Sequence, residues 1–303
     1  MLLDVAVIGG GPAGLAAALV LGRSRKRTAL FDGGTPRNAT AAYIGGFVTQ
    51  DRIAPASFRH TAHEDLRAYP SVDLHLDTMV DRIERAGAKF RILASGAEYT
   101  ARRVLLATGM IDEPIPLPGS RELWGTSLFQ CPYCHGYEVA DRPLAFLAPE
   151  PGEAPWVQLL RSWSRDVMLF TNASVEVEPA CRVALAEASI PIEERRIIGL
   201  ARTGRQLTGI VVDGNVTIPR SALFFRPVQR QAPVVAGLAL ALDDRNYVRV
   251  GEDDYETSIR GIHAAGDLMT HYHGALAAAA AGSKAAHSIN HGLTVDLVGQ
   301  GLL

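Results

Sequence analysis

Cysteine is scarce in this chain: three among 303 residues. That excludes an extracellular domain built on disulfides, and a chain of this length can bury cores of its own. Net charge is lacking too. Thirty Lys and Arg against 32 Asp and Glu leave −2 at pH 7, so the balance gives no reason to expect nucleic acid or an anionic membrane as partner. No stretch reaches the ~18 uncharged apolar residues of a membrane-spanning helix. No internal repeat appears, and the only biased tract is an alanine run near the C-terminus. The first strand is expected to begin at residue 2 or 3, which leaves no room for a signal peptide. These absences point to a cytoplasmic location and a reducing compartment. An apolar fraction of 48% with 20% charged residues is that of a globular protein, and the length suits two domains.

What the chain does have begins at once. Asp4-Val5-Ala6-Val7-Ile8 reads as a buried parallel strand, followed without a gap by Gly9-Gly10-Gly11-Pro12-Ala13-Gly14 and an Ala/Leu-rich helix over 15–21. G-x-G-x-x-G carries meaning only between a strand and a helix, and here it lies there. Gly9 permits the tight turn, Gly11 lets a pyrophosphate approach the backbone, and Gly14 lets helix pack on strand. Pro12 and Ala13 open the helix, whose free N–H groups face the phosphates. The next strand, Thr28-Ala29-Leu30-Phe31, ends at Asp32, where a carboxylate can hold ribose hydroxyls. Arg27 reads more simply as a solvated charge than as a 2′-phosphate ligand.

The densest chemical signal is Cys131-Pro132-Tyr133-Cys134-His135. Two cysteines separated by two residues can close a disulfide within one helical turn, so that one thiol attacks a partner and the other takes over the electrons. The competing reading is half of a zinc site. That needs two further ligands at similar spacing, and Cys181 has neither a CxxC partner nor an HxxxH beside it. The redox reading is preferred and no metal is expected. Cys181 reads as a structural thiol.

Two later segments fit the same nucleotide. The run 103–109 is an aliphatic strand ending in Thr108-Gly109, a backbone turn near the cofactor. The run 259–267 is a short strand ending in Gly266-Asp267, followed by a helix from about Ala275 to Asn290. A carboxylate there can bond a ribityl chain while the helix N-terminus lies under a flavin edge. Close packing of small residues is the plainer account of the alanine run, and both hold together. His271, Tyr272 and His273 either approach the cofactor or sit on a surface loop.

In their order, GGGPAG, Asp32-Gly33-Gly34-Thr35-Pro36-Arg37-Asn38, Ala107-Thr108-Gly109, the CxxC and Ala265-Gly266-Asp267 resemble low-molecular-weight thioredoxin reductases and the related dithiol oxidases. The resemblance spans nearly the whole chain. It implies an α/β fold of two Rossmann-like, three-layer nucleotide-binding domains, the second inserted in the first. It implies FAD in the first fold and a homodimer. It places Cys134 against the flavin and makes Cys131 the interchange thiol. FAD contacts are expected from Gly9, Gly11, Pro12, Ala13, Gly14, Asp32, Gly33, Arg37, Asn38, Thr108, Gly109, Gly266, Asp267, His273 and Ala275. Proline-rich crossings near 110–119 and 225–233 divide the chain into an FAD domain of 1–113 plus 230–303 and an inserted module of 114–229. Two crossings would permit rotation about a hinge, which in the resembled family presents flavin and dithiol in turn. His135 stands where thioredoxin reductases carry an aspartate. An imidazole with a pKa near 6.5 can accept a thiol proton and hold a thiolate by charge pairing; a surface histidine is the alternative.

The inserted module departs from the resembled pattern. After the strand 143–147 the family has a second glycine loop; this chain has Ala148, Pro149 and Glu150, then Pro151, Gly152 and Glu153 before a helix expected at Trp156–Trp163. Prolines lack the N–H donors a pyrophosphate needs, and the glutamates repel it. After the strand 167–170, Thr171-Asn172-Ala173-Ser174-Val175-Glu176 offers no cation for a 2′-phosphate. The expectation is therefore a flavin-dependent disulfide/dithiol oxidoreductase that does not use NADPH. Its substrate would be a thioredoxin-like protein or a small dithiol or disulfide, and its other redox partner O2 or ferredoxin. CxxC-His runs in dithiol oxidases favour O2. A vacated nicotinamide site could hold a second flavin or an aromatic stack with Trp156 or Trp163. A noncatalytic flavin-bound redox sensor is the reading from another class, and a retained dithiol beside a retained FAD frame counts against it.

Overall fold

The computed structural model describes residues 2–302. The chain divides into two compact units: Met1–Ala39, Ile53–Ile111 and Gln229–Leu303 in the first, Thr40–Arg52 and Asp112–Val228 in the second. Residues 40–52, expected within the FAD domain, group with the second unit. The chain therefore passes between units four times rather than twice.

In the first unit, Leu2–Ile8 (β1), Pro12–Arg23 (α1), Thr28–Phe31 (β2), Pro55–Arg67 (α2), Val72–His75 (β3), Val80–Ala86 (β4), Lys89–Ala94 (β5) and Ala97–Leu106 (β6) build most of a seven-stranded sheet of order β3-β2-β1-β6-β5-β4. β1 pairs parallel with β2 and β6, whereas β5 pairs antiparallel with β4 and β6. β6 is long because it serves two neighbours in turn. Ala97–Ala101 lies along β5, and Val104–Leu106 along the strand Ile262–Ala264, which restores a parallel frame. β1 is apolar on both faces because both are covered. Its alternate residues face opposite ways: Ala6 and Ile8 enter the cluster with Phe90 and Ile92, Val5 and Val7 the cluster with α1 and the C-terminal helix.

That helix, Ala275–Gly299, runs past the expected Asn290, through Gly292 and with no proline to stop it. Ile289, Leu293 and Leu297 continue its buried stripe at four-residue spacing. Its alanines and Gly282 let it approach α1 very closely: a Cβ on Gly282 would lie 2.0 Å from the Ala13 carbonyl oxygen. No helix among the described residues is long and apolar enough to cross a membrane.

The second unit holds a five-stranded parallel sheet, in order Ile192–Glu193, Val167–Phe170, Leu144–Leu147, Ala222–Phe225 and Leu128–Phe129. An antiparallel sheet of Ile197–Thr203, Gln206–Val212 and Val216–Ile218 accompanies it. The helix expected at Trp156–Trp163 is instead a 3-10 helix over Pro151–Ser162. Pro155 lies inside it, lacks the N–H an α-turn requires, and its ring would strike the carbonyl four residues back.

Gly282→Val should lower thermal stability by about 1–3 kcal/mol, the usual cost of forcing atoms into a packed contact. The obstacle is the backbone of Ala13, which cannot rotate aside. Melting of the variant at the parental temperature would show that the helices are not in contact there.

Candidate functional site

The three fingerprint glycines occupy different surroundings. Gly9 has φ +119°, and a Cβ there would lie 2.3 Å from the Ala107 carbonyl oxygen. A Cβ on Gly14 would lie 1.9 Å from the Gly9 carbonyl oxygen. These two close the turn against β6 and against itself. A Cβ on Gly11 would meet no protein atom within 4 Å, so the space beside it is open to a ligand. Gly11 also caps α1, Pro12 is its first residue, and no side chain takes the free N–H groups of the first turn. The residues fit a pyrophosphate, with Gly11, Ala13 and Gly14 placed to hold it.

Other expected positions gather on the same end of this unit. Gly266, at φ +77°, would place a Cβ 2.9 Å from that of Ala13. A Cβ on Gly109 would lie 4.0 Å from Asp267 Cβ. Arg37 Nη1 donates to Asp267 Oδ2 at 2.9 Å and lies 2.8 Å from His273 Nδ1. Because arginine only donates, His273 Nδ1 is the acceptor and its ring proton sits on Nε2. His273 also meets Tyr247 edge to face at 5.7 Å. Thr108 and Ala275 lie at the end of β6 and the start of the C-terminal helix, and Gly33 packs against Met79. Asn38 lies in the turn after Arg37. His271 and Tyr272 are exposed, with ring centroids 4.0 Å apart and planes tilted by 38°. Asp32 is more constrained than its sequence context conveys. It accepts the Gly34 N–H at 2.9 Å and a hydrogen bond from Arg59 of α2, and no spacing rule marks Arg59.

The dithiol lies in the second unit. Cys131 and Cys134 form a disulfide, with Cα atoms 5.3 Å apart, across the short helix Pro132–His135. Cys131 is the N-cap, and its sulfur accepts the Cys134 N–H at 3.2 Å. Among the described residues no three His, Cys, Asp or Glu gather as a metal site. Three contacts that the sequence does not reveal hold the turn. Gly136 packs on Trp163, where a Cβ would sit 2.7 Å from the indole. Tyr133 meets Trp163 edge to face at 5.5 Å. Gly45, from the 40–52 segment, lies so near the Cys134 carbonyl oxygen that a Cβ would be 2.6 Å away. Trp163 therefore backs the dithiol.

His135 departs from its expected chemistry. Its ring stacks on Phe129, centroids 4.5 Å apart and planes 21° from parallel. Burial pushes its pKa down from 6.5 to about 4. At neutral pH it carries no charge in the disulfide form, so it offers a thiolate no charge pairing. Cys181 is a free, partly covered thiol whose pKa burial raises, away from nucleophilic use.

A parallel sheet with a glycine turn at one strand end, and a disulfide-closed CxxC in a second α/β unit, define a nucleotide-dependent disulfide oxidoreductase. A family model described as pyridine nucleotide-disulphide oxidoreductase matches residues 3–149. A probable thioredoxin reductase of Arthroderma benhamiae is 30% identical over 297 residues, covering 87% of this chain and 73% of its own. Among solved structures, the putative thioredoxin reductase TrxB of Bacillus anthracis superposes with a TM-score of 0.91 at 35% identity, over 97% of this chain and 99% of that one. HlmI superposes at 0.92 with 34% identity, over 99% and 95%. The chain belongs to the thioredoxin reductase-like pyridine nucleotide-disulphide oxidoreductases. It is an enzyme of that flavoprotein family, and FAD is its cofactor.

Two outcomes follow from this geometry. Gly45→Ala should disturb the dithiol turn, because its new methyl meets backbone. The rate of thiol labelling after reduction should change at both cysteines, and an unaltered rate with parental melting would contradict the contact. Acid should destabilise the protein between about pH 6.5 and 4. His135 is held neutral by burial, and His63 and His263 are likewise depressed chiefly by burial. In that window the unfolded chain binds protons that the folded chain refuses, so stability falls as pH falls. His135→Phe should shrink the loss in denaturant midpoint between pH 7 and pH 5. An equal loss in the variant would show that His135 is not the group responsible.

Proposed function

We propose that this enzyme couples thiol–disulfide exchange at Cys131–Cys134 to FAD without drawing electrons from NADPH. One observation carries the reading. Beyond the strand Leu144–Leu147, where a second pyrophosphate would need donors and open space, Glu153 pairs with Arg226 at 2.5 Å and the Arg226 guanidinium lies 4.3 Å from the Trp156 ring centre. The cation that could have met a phosphate is held by a carboxylate and an indole of the same unit. Further along, the Thr171 and Ala173 N–H groups bond the Glu193 and Glu194 carbonyls, and Asn172 Oδ1 accepts the Ile197 N–H. The loop after the strand Val167–Phe170 thus spends its polar groups internally.

Exchange itself needs only this chain's sulfurs and a partner. A substrate thiolate attacks the Cys131 sulfur, forming a mixed disulfide and releasing Cys134 as thiolate. A second substrate thiolate then attacks the mixed disulfide, leaving substrate oxidised and both cysteines reduced. Run backwards, the Cys131 thiolate attacks a substrate disulfide. The Cys134 N–H directed at the Cys131 sulfur favours Cys131 as the exchanging thiolate. Neutral His135 can take the proton of an incoming substrate thiol as that thiol becomes the attacking thiolate. Bound FAD supplies the reversible two-electron store, at the site around Gly11. The substrate is a thioredoxin-like protein or a small dithiol or disulfide, with O2 or ferredoxin completing the electron path.

Anaerobic stopped-flow mixing tests this. Dithiothreitol should bleach the flavin absorbance far faster than millimolar NADPH, and reduced ferredoxin serves as a third arm. Each lost charge-assisted phosphate contact costs about 1.5–3 kcal/mol, so several losses together remove orders of magnitude in affinity. Rapid bleaching that saturates at micromolar NADPH would overturn the reading.

A further inference from the structure

The turn that closes the dithiol does not stop at His135. Gly136 keeps helical dihedrals, its N–H bonds the Pro132 carbonyl at 2.7 Å, and a 3-10 turn continues over Tyr137–Val139. Residues three and four apart on such a stretch share a face. Tyr137 therefore follows Cys131 and Cys134 at three-residue steps, and it stands four residues on from Tyr133. Tyr133 and Tyr137 are 72% and 76% exposed. Tyr133 is nonetheless held, because its ring meets Trp163 edge to face at 5.5 Å.

Charge is missing from the same region. Residues 123–137 contain no Asp, Glu, Lys or Arg, in a chain of which 20% is charged. Residues 40–50, which reach the Cys134 carbonyl through Gly45, contain none either. His135 is uncharged at neutral pH. The first charge beyond the two tyrosines is Glu138, which is partly buried.

A tyrosine ring offers a ligand wide apolar area and has little rotamer freedom to lose on binding. Size and charge decide which ligand. A protein partner covers about 800 Å² of surface, roughly 20–30 residues, and is guided by complementary charge. Two rings beside a disulfide, with no charge among them, suit a small molecule instead. An anionic one would lose hydration against the rings and find no cation in return.

We propose that in the exchange set out above, on which this rests, Tyr133 and Tyr137 determine specificity: they stack an uncharged, ring-bearing dithiol of low molecular weight beside Cys131–Cys134. Its two thiols are oxidised to a disulfide while the Cys131–Cys134 disulfide is reduced to two thiols, so the step needs no further reactant.

Anaerobic stopped-flow bleaching of the FAD-loaded enzyme tests this with three dithiols. Ortho-benzenedimethanethiol carries a ring, dithiothreitol is uncharged without one, and dihydrolipoate is anionic. Rate constants are compared per thiolate, which removes differences in thiol acidity. The parent should prefer the ring-bearing dithiol over dihydrolipoate by about tenfold or more. In Tyr133→Ala and Tyr137→Ala the ratio of ring-bearing dithiol to dithiothreitol should fall by about three- to tenfold, the size of one aromatic contact. Tyr133→Phe and Tyr137→Phe should keep the parental ratio. So should Val183→Ala, exposed on the helix Pro179–Glu187 of the same unit. Parental ratios in both alanine variants would overturn the proposal, as would a parent that takes dihydrolipoate equally well. An equal fall in the phenylalanine variants or in Val183→Ala would also overturn it, since the ring would not be the cause. A changed mass by light scattering in the alanine variants would give the face to a second copy of the chain. A reduced thioredoxin slowed more than the ring-bearing dithiol would give it to a protein, and either result contradicts the assignment. Bleaching by none of the three would sink the exchange itself, and the specificity with it.

Discussion

The close approach of backbone to backbone around the glycine turn is the constraint on which the first unit depends. Gly14 touches the Gly9 carbonyl, Gly9 touches that of Ala107, and Gly282 touches that of Ala13. Each contact admits no side chain, and together they fix the start of α1 between the sheet and the C-terminal helix. The first-turn N–H groups are left facing the open space beside Gly11 because every other approach is filled. A nucleotide-binding turn is therefore inseparable from the core beneath it. The same contacts that shape the phosphate cradle bury Ala13, Ala17 and Ala18 against Ala278, Ala285 and Ala286.

The dithiol obeys a similar rule with different residues. Its two cysteines close a ring within one short helix, but that helix makes little core of its own and buries no residue. It is steadied from behind by Trp163 against Gly136, from beside by Phe129 against His135, and from the 40–52 segment by Gly45. Burial in this packed position is what denies His135 its charge. An aspartate at that position would carry a charge on an apolar ring, whereas a neutral imidazole suits the face it lies on.

Elements with strong local periodicity were legible in the sequence. β1, α1 and β2 announce themselves by a continuous apolar run, a glycine turn and a carboxylate, and the CxxC by spacing alone. Arg37, Asp267 and His273, far apart in the chain, meet in the fold. What remained hidden is non-local. Arg59 and His63 sit on an ordinary amphipathic helix, and only the parallel pairing of β1, β2 and β3 brings that helix beside Asp32. Residues 40–52 join the dithiol unit through contacts far apart in sequence, Gly45 at the Cys134 carbonyl and Gly125 at Thr40 and Ala41 among them. Glu153 stands out in the sequence only as a charge, because its partner Arg226 follows a strand distant in the chain. Pro155 is visible in the sequence, but that the 3-10 helix begins before it, at Pro151, is set by the fold around it.

The central claim is that this enzyme has kept the fold of a second nucleotide domain and given up its ligand. Calorimetric titration of the oxidised, FAD-loaded protein with NADP+ tests this most directly, because binding is read without any electron transfer. The account predicts no saturable heat up to millimolar ligand. A micromolar dissociation constant that rises in Arg226→Ala would contradict it, by showing Arg226 serving a phosphate instead of Glu153.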